Sequence, residues 1–138
     1  MNLFVLDASV ALRWFLDKFV PPYATRVKRL LLEGTRALVP GLWHLEIANG
    51  LLVAERCGRL QAAEVAEAFR NVEQLLTVAI ETDLTLISAR QTYNRARSVQ
   101  LSAYDASYLN LAEREGLPLA TLDEQLSAAA RRSGVAIV

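Results

Sequence analysis

Four acids in this chain sit in unusually apolar company: Asp7, Glu46, Asp105 and Asp123. Asp7 ends the run Leu3–Leu6, Glu46 lies between Leu45 and Ile47, and Asp105 and Asp123 bracket the stretch from Ala106 to Leu122. Three of them have an ordinary structural use. Asp7 and Asp123 each stand where a strand gives way to a helix, the position of an N-cap. Asp105 follows Ser102 by three residues, as in a capping box, and Thr121 with Glu124 makes a second such spacing. Glu46 has no such use, because it falls in mid-helix, and a buried carboxylate needs a cation, a proton or a hydrogen-bond donor. If the four meet, their chemistry is that of a metal site. Two carboxylates ~5 Å apart repel by about 3 kcal/mol at an effective dielectric of ~20, so a cluster calls for a divalent cation or bound protons. All-oxygen ligands without His or Cys point to Mg²⁺ or Mn²⁺ rather than zinc.

The elements that would position these acids alternate between strand and helix. Leu3–Leu6 reads as a strand buried on both faces, followed by helices over 8–16 and 23–33, the second breaking after Pro21-Pro22 and closing at Gly34. A strand over 37–39 leads through Pro40-Gly41 into a helix over 42–56, apolar nearly all round and so expected to be buried. An amphipathic helix over 61–76 precedes a strand over 77–80 and a helix over 83–97. The last third reads as helix 103–115, a turn at Gly116-Leu117-Pro118, strand 117–120, helix 124–132 and a fifth strand over 135–138. This order predicts a three-layer α/β/α sandwich with a mostly parallel five-stranded sheet, in one domain spanning residues 1–138. In such sheets ligands bind outside the carboxyl ends of the strands, which is where Asp7 and Asp123 belong. Asp105 is not placed by this rule.

Composition narrows the classes. At 138 residues and 53% hydrophobic the chain is long enough for a real core and too apolar for disorder. Fifteen basic and fifteen acidic residues give a formal net charge of zero, so any nucleic-acid binding has to come from a local patch. Thirteen of the fifteen cations are Arg, the residue suited to forked contacts with phosphate. The single cysteine, Cys57, excludes an internal disulfide and a cysteine-built zinc site. No basic leader precedes the first strand, and no apolar run approaches ~18 residues, so a soluble, cytoplasmic protein with no membrane partner is expected.

The segments V5-L-D-A-S9, P40-G-L-W-H-L-E46-I-A-N49, S102-A-Y-D105-A-S-Y-L-N-L-A112 and L119-A-T-L-D123-E-Q-L126 resemble, in order and spacing over nearly the whole chain, the PIN-domain nucleases. Within these they are similar to the VapC-type toxins of type II toxin–antitoxin pairs. The resemblance implies that Asp7, Glu46, Asp105 and Asp123 gather in one groove as catalytic, metal-binding acids, with Asp123 the least essential. Ser9 and Thr121 resemble the hydroxyls beside such a site and Asn49 a polar neighbour; on residue type alone the first two are equally helix caps and Asn49 a packing residue. It also implies Mg²⁺-dependent endoribonuclease activity, leaving a 5′-phosphate and a 3′-hydroxyl, with Mn²⁺ as a substitute. The substrate would be a single-stranded RNA loop, tRNA being one candidate, since A-form helices hide their bases. A VapB-like antitoxin and a homodimer are the implied partners.

Arg13, Arg90, Arg95 and Arg97 are candidate phosphate contacts by position, and Trp14, Trp43, Tyr104 and Tyr108 candidate stacking partners for bases, although core packing is the better reading for both tryptophans. His44, the only histidine, faces away from Glu46 on its helix and reads as structural or surface. A dehalogenase-type phosphatase would need a second Asp where Ser9 stands, and a phosphoreceiver domain a late Lys that the chain lacks. The remaining alternative is a catalytically weak domain of the same type that binds RNA or protein.

Overall fold

In the computed structural model, which describes all 138 residues, four strands pair in parallel in the order β3-β2-β1-β4. These are β1 (Leu3–Leu6), β2 (Arg36–Pro40), β3 (Ile80–Asp83) and β4 (Leu119–Ala120). The helices are α1 (Ala8–Leu16), α2 (Pro22–Leu32), α3 (Leu42–Arg56), α4 (Ala62–Val78), α5 (Ala89–Val99), α6 (Ala103–Glu115) and α7 (Glu124–Arg132). They cover both faces of the sheet, giving the three-layer sandwich expected from the alternation. Burial explains the strand sequences: Phe4, Val5, Leu6, Ala37, Val39, Leu119 and Ala120 are fully inaccessible to solvent, as strands covered on two faces must be.

The fifth strand is the first departure. At the C-terminus only a single parallel bridge forms, Ile137 opposite Leu119, carried by hydrogen bonds from Leu119 N to the Ala136 carbonyl and from Val138 N to the Leu119 carbonyl. β4 is itself only two residues long, so it offers a following segment little ladder to extend. The third strand is displaced as well. α4 runs on to Val78 and β3 occupies Ile80–Asp83, with α5 beginning only at Ala89 after a loop. Ile-Glu-Thr-Asp has one buried side chain because β3 is an edge strand paired only with β2, so it lacks the apolar run that marks an interior strand.

α3 is not buried all round. Trp43, Ile47, Leu51 and Ala54 face the core, while Leu45 and Val53 are 70% and 52% exposed. Its inner face approaches α1 so closely that a Cβ on Gly50 would stand 2.5 Å from Leu12 Cδ2. The strand order reverses between β1 and β4: the chain builds outward through β2 and β3, then returns to the other side of β1. That reversal leaves a crevice at the carboxyl ends of β1 and β4.

Candidate active site

Asp7 and Asp123 follow the two strands that flank this crevice, and Asp7 N donates to the Ala120 carbonyl at 2.9 Å across the β1–β4 junction. α6 runs back from the carboxyl edge to the start of β4, so its first turn, with Asp105, lies at the same edge. Glu46 stands in the second turn of α3, which begins just beyond the end of β2. The four acids feel one another. Asp7 is coupled to Asp123, Asp105 to Asp123 and Asp7, and Glu46 to Asp7 and Asp105.

Capping accounts for Asp123 alone. Asp7 occupies the N-cap of α1, yet its side chain makes no capping hydrogen bond. Asp105 forms half of a box: its backbone N–H donates to Ser102 Oγ at 3.1 Å, with no return bond from its carboxylate to the Ser102 N–H. Asp123 does cap α7, accepting from Leu126 N at 2.8 Å through Oδ1. The second spacing, Thr121 with Glu124, forms no box, because Asp123 is the N-cap and the Thr121 hydroxyl is used elsewhere.

That use is at Asp7. Ser9 Oγ and Thr121 Oγ1 both donate to Asp7 Oδ2, at 2.6 and 2.7 Å. Each hydroxyl in turn accepts a backbone N–H from the β4–α7 loop, Leu122 N on Ser9 Oγ at 3.0 Å and Asp123 N on Thr121 Oγ1 at 3.0 Å. The proton directions are consistent throughout. The relay orients one oxygen of a carboxylate that is only 4% exposed and leaves Oδ1 without a protein donor. Asn49 lies one turn beyond Glu46, exposed, and its amide makes no hydrogen bond to the protein.

Burial pushes the Asp7 carboxyl above its ordinary value, against the pull of the Ser9 and Thr121 hydroxyls. Burial raises Glu46 also, opposed by a donor from Tyr108 and assisted by the charges of Asp7 and Asp105. Asp105 is pushed up to about 6, by burial first and then by Asp123 and Asp7. None of the four acids makes an ion pair; the chain's carboxylate partners for Arg are Asp17, Glu67, Asp83, Glu113 and Glu115. Four carboxylates therefore share an edge, and none is paired with a protein cation.

The donor set fits a hard divalent cation: oxygen ligands only, with Asp7 Oδ1, Glu46 Oε2 and Asp123 Oδ2 free of protein hydrogen bonds. No three His, Cys, Asp or Glu side chains stand close enough together to hold an ion by themselves. A Mg²⁺-type ion, which keeps several waters and takes one or two carboxylates plus substrate phosphate, does not require such a cage.

The aromatic candidates divide sharply. Tyr108 and Trp43 are completely buried, so neither can stack on a base, and Trp14 is half-buried with its Nε1 donating to the Ala24 carbonyl at 2.8 Å. Tyr104, beside Asp105, is 64% exposed. Sequence reasoning missed Tyr108 as part of the site: its hydroxyl donates to Glu46 Oε1 at 2.6 Å. It missed Tyr23 too, whose buried hydroxyl has no hydrogen-bond partner and lies within reach of the charges of Arg26, Arg131 and Asp7. Nothing in the periodicity distinguishes either tyrosine from core.

Among the arginines, Arg13 is taken up by Asp17 at 2.8 Å, and Arg95 is forked onto Glu113 at 3.0 and 2.6 Å. Arg90 and Arg97 are exposed and form no ion pair. His44 is a surface residue whose Nε2 meets Thr82 Oγ1 at 2.8 Å. A cavity of about 190 Å³ beside β3 and α6, lined in part by Asp83, Thr85, Asn110 and Arg114, includes none of the four acids. The acids lie instead at the crevice where the strand order reverses.

The sequence pattern of the PIN domain matches residues 4–132. Ribonuclease VapC9 of Mycobacterium tuberculosis and VapC ribonuclease Mb0985 of Mycobacterium bovis are each 34% identical over 125 residues, covering 91% of this chain and 89% of theirs. The crystal structure of PAE2754 from Pyrobaculum aerophilum has the same fold, with a TM-score of 0.70 at 24% identity, over 91% of this chain and 83% of that one.

Proposed function

Since this chain belongs to the PIN-domain family, in its VapC branch, we propose that it is a Mg²⁺-dependent endoribonuclease and the toxin of a toxin–antitoxin pair. The observation that carries the catalytic reading is the gathering of four carboxylates at one edge of the sheet, two of them at a strand-order reversal, with none paired to a cation of the protein. Other partly buried acids of the chain, Asp17 and Asp83, are each paired with Arg, as burial of a carboxylate requires.

Of Asp7, Glu46, Asp105 and Asp123, one or two would hold the ion directly and the others through its waters, Asp7 through the oxygen that the Ser9–Thr121 relay leaves free. The chemistry such an ion would supply is a lowered pKa for water and an offset of charge on the scissile phosphate. The chain's own part is to fix and orient the ligands. The two hydroxyls hold Asp7 in one rotamer, the α7 cap holds Asp123, and the first turn of α6 presents Asp105. Ser9 is held in the relay, its hydroxyl donating to Asp7 while it accepts the Leu122 N–H, and no Cys or His makes a hydrogen bond to any of the four acids, so water is the nucleophile and a 5′-phosphate the product. Tyr104, exposed beside Asp105, is placed to stack on an unpaired base, which favours single-stranded RNA as substrate.

The partner reading is a small antitoxin covering the acids, supported by membership of the VapC branch; the homodimer rests on the family resemblance alone. No helix is long and apolar enough to cross a membrane. The test is cleavage of total RNA by purified protein. Mg²⁺ or Mn²⁺ should support it, EDTA should stop it, and Asp7→Asn should abolish it while the thermal transition persists. Full activity in EDTA would sink the metal mechanism, and binding without cleavage in any metal would favour a non-catalytic RNA-binding domain.

A further inference from the structure

One side chain ties three of the four acids together. Tyr108 is completely buried, and its hydroxyl donates to Glu46 Oε1 on α3 at 2.6 Å. The same oxygen accepts the N–H of Ala8, the residue after Asp7, at 3.4 Å. Tyr108 also lies three residues after Asp105, on the same helix. Its ring is thus anchored on the element that carries Asp105, while its oxygen bridges the backbone beside Asp7 to the carboxylate of Glu46. No other protein group donates a hydrogen bond to Glu46.

We propose that Tyr108 is a positioning residue of the metal site, which holds Glu46 Oε1 so that Oε2 faces the groove and sets α3 against the Asp7 and Asp105 edge. This rests on the metal-dependent reading above. Its physical basis is general: donors behind a ligand fix its orientation, and removing one typically weakens metal binding by about 10–100-fold. A residue that merely filled space would not need its hydroxyl, because Phe fills the same volume. Without that hydroxyl Glu46 has two free oxygens and a choice of rotamers, and the Ala8 N–H loses its acceptor.

The test measures Mn²⁺ binding by calorimetry on the full chain, without RNA, for the wild type, Tyr108→Phe and a chain with para-aminophenylalanine at position 108. Thermal unfolding in EDTA serves as the folding control. Tyr108→Phe should remain folded and bind Mn²⁺ at least about tenfold more weakly. The para-amino variant, which keeps a donor at the same place, should recover most of the affinity. Wild-type affinity in a folded Tyr108→Phe chain overturns the proposal and leaves the metal reading standing. Failure of the wild type to bind Mn²⁺ overturns both. If Tyr108→Phe does not fold, the para-amino variant decides: near-wild-type affinity upholds the role of the donor, and weak binding by a folded chain removes it.

Discussion

At the scale of single residues, the raised carboxyls set a clear pH dependence. Asp105 holds its proton up to about pH 6, whereas the unfolded chain releases it near 4. Between those values the folded state binds more protons than the unfolded one, so stability falls as pH rises through this window and levels off above it. Asp7 and Glu46 are displaced in the same direction. In EDTA the wild-type melting temperature should therefore drop between pH 4 and pH 7. Asp105→Asn should be more stable than wild type at pH 7.5, by on the order of 1 kcal/mol once solvent screening of this partly exposed group is allowed for, and indistinguishable at pH 4. A melting curve for that variant lying below wild type at pH 7.5 would show that the carboxylate is a structural asset rather than a cost. The same substitution should lower RNA cleavage by at least about 10²-fold, because it removes a ligand charge. For recognition, Tyr104→Ala should weaken RNA binding by about 1–3 kcal/mol if a base stacks there, measured as Kd on a cleavage-inactive background; an unchanged Kd rules the stacking role out.

At the scale of elements, the α1–α3 contact and the sheet edge show what pattern can and cannot reveal. Gly50→Ala trades a gain in helix propensity of about 1 kcal/mol against a Cβ placed 2.5 Å from Leu12 Cδ2. Overpacking of a tight contact costs about 1–3 kcal/mol, so the net change should be a loss of about 1 kcal/mol, and Leu12→Ala in the same chain should remove the clash. A more stable single variant would show that Leu12 moves aside freely. Nothing in the sequence marks Gly50 as a packing glycine rather than a weak spot in a helix. The strand-to-acid junctions were readable, because an apolar run ending in Asp is a local signal, and they placed Asp7 and Asp123 on one edge. Glu46 stood out through its apolar neighbours. The features that failed to read are non-local. β3 is polar because it lies at an edge, and the exposed side of α3 is apolar for reasons its own periodicity does not carry. The Tyr108–Glu46 bond joins residues 62 apart and the Thr121–Asp7 bond residues 114 apart. Ser9 and Thr121 were named through resemblance, but that both hydroxyls converge on one oxygen of Asp7 is a product of the β1–β4 pairing.

For the whole molecule, the question is what attracts RNA to a chain with no net charge. Arg13, Arg59, Arg70, Arg95 and Arg114 are spent on carboxylates of the chain itself. The acid groove repels phosphate as long as it is bare. Long-range steering is therefore weak, and on the proposed metal-dependent reading most affinity arises at the acids, where a bound cation would turn a repulsive site into an attractive one. That gives two opposed expectations for binding of a short single-stranded RNA, measured with Ca²⁺ in place of Mg²⁺ to slow cleavage. Removing the cation with EDTA should weaken binding at least about tenfold. Raising monovalent salt from 50 to 200 mM should cost less than about tenfold, since for single strands the slope is about −0.7 per phosphate neutralised and only one or two phosphates are contacted. A basic-patch binder behaves in the opposite way, with indifference to EDTA and a loss of a hundredfold or more over the same salt range. Such a result would place the RNA on exposed arginines such as Arg90 and Arg97 rather than on a cation held by the acids, and would count against the proposed role of the four carboxylates in binding substrate.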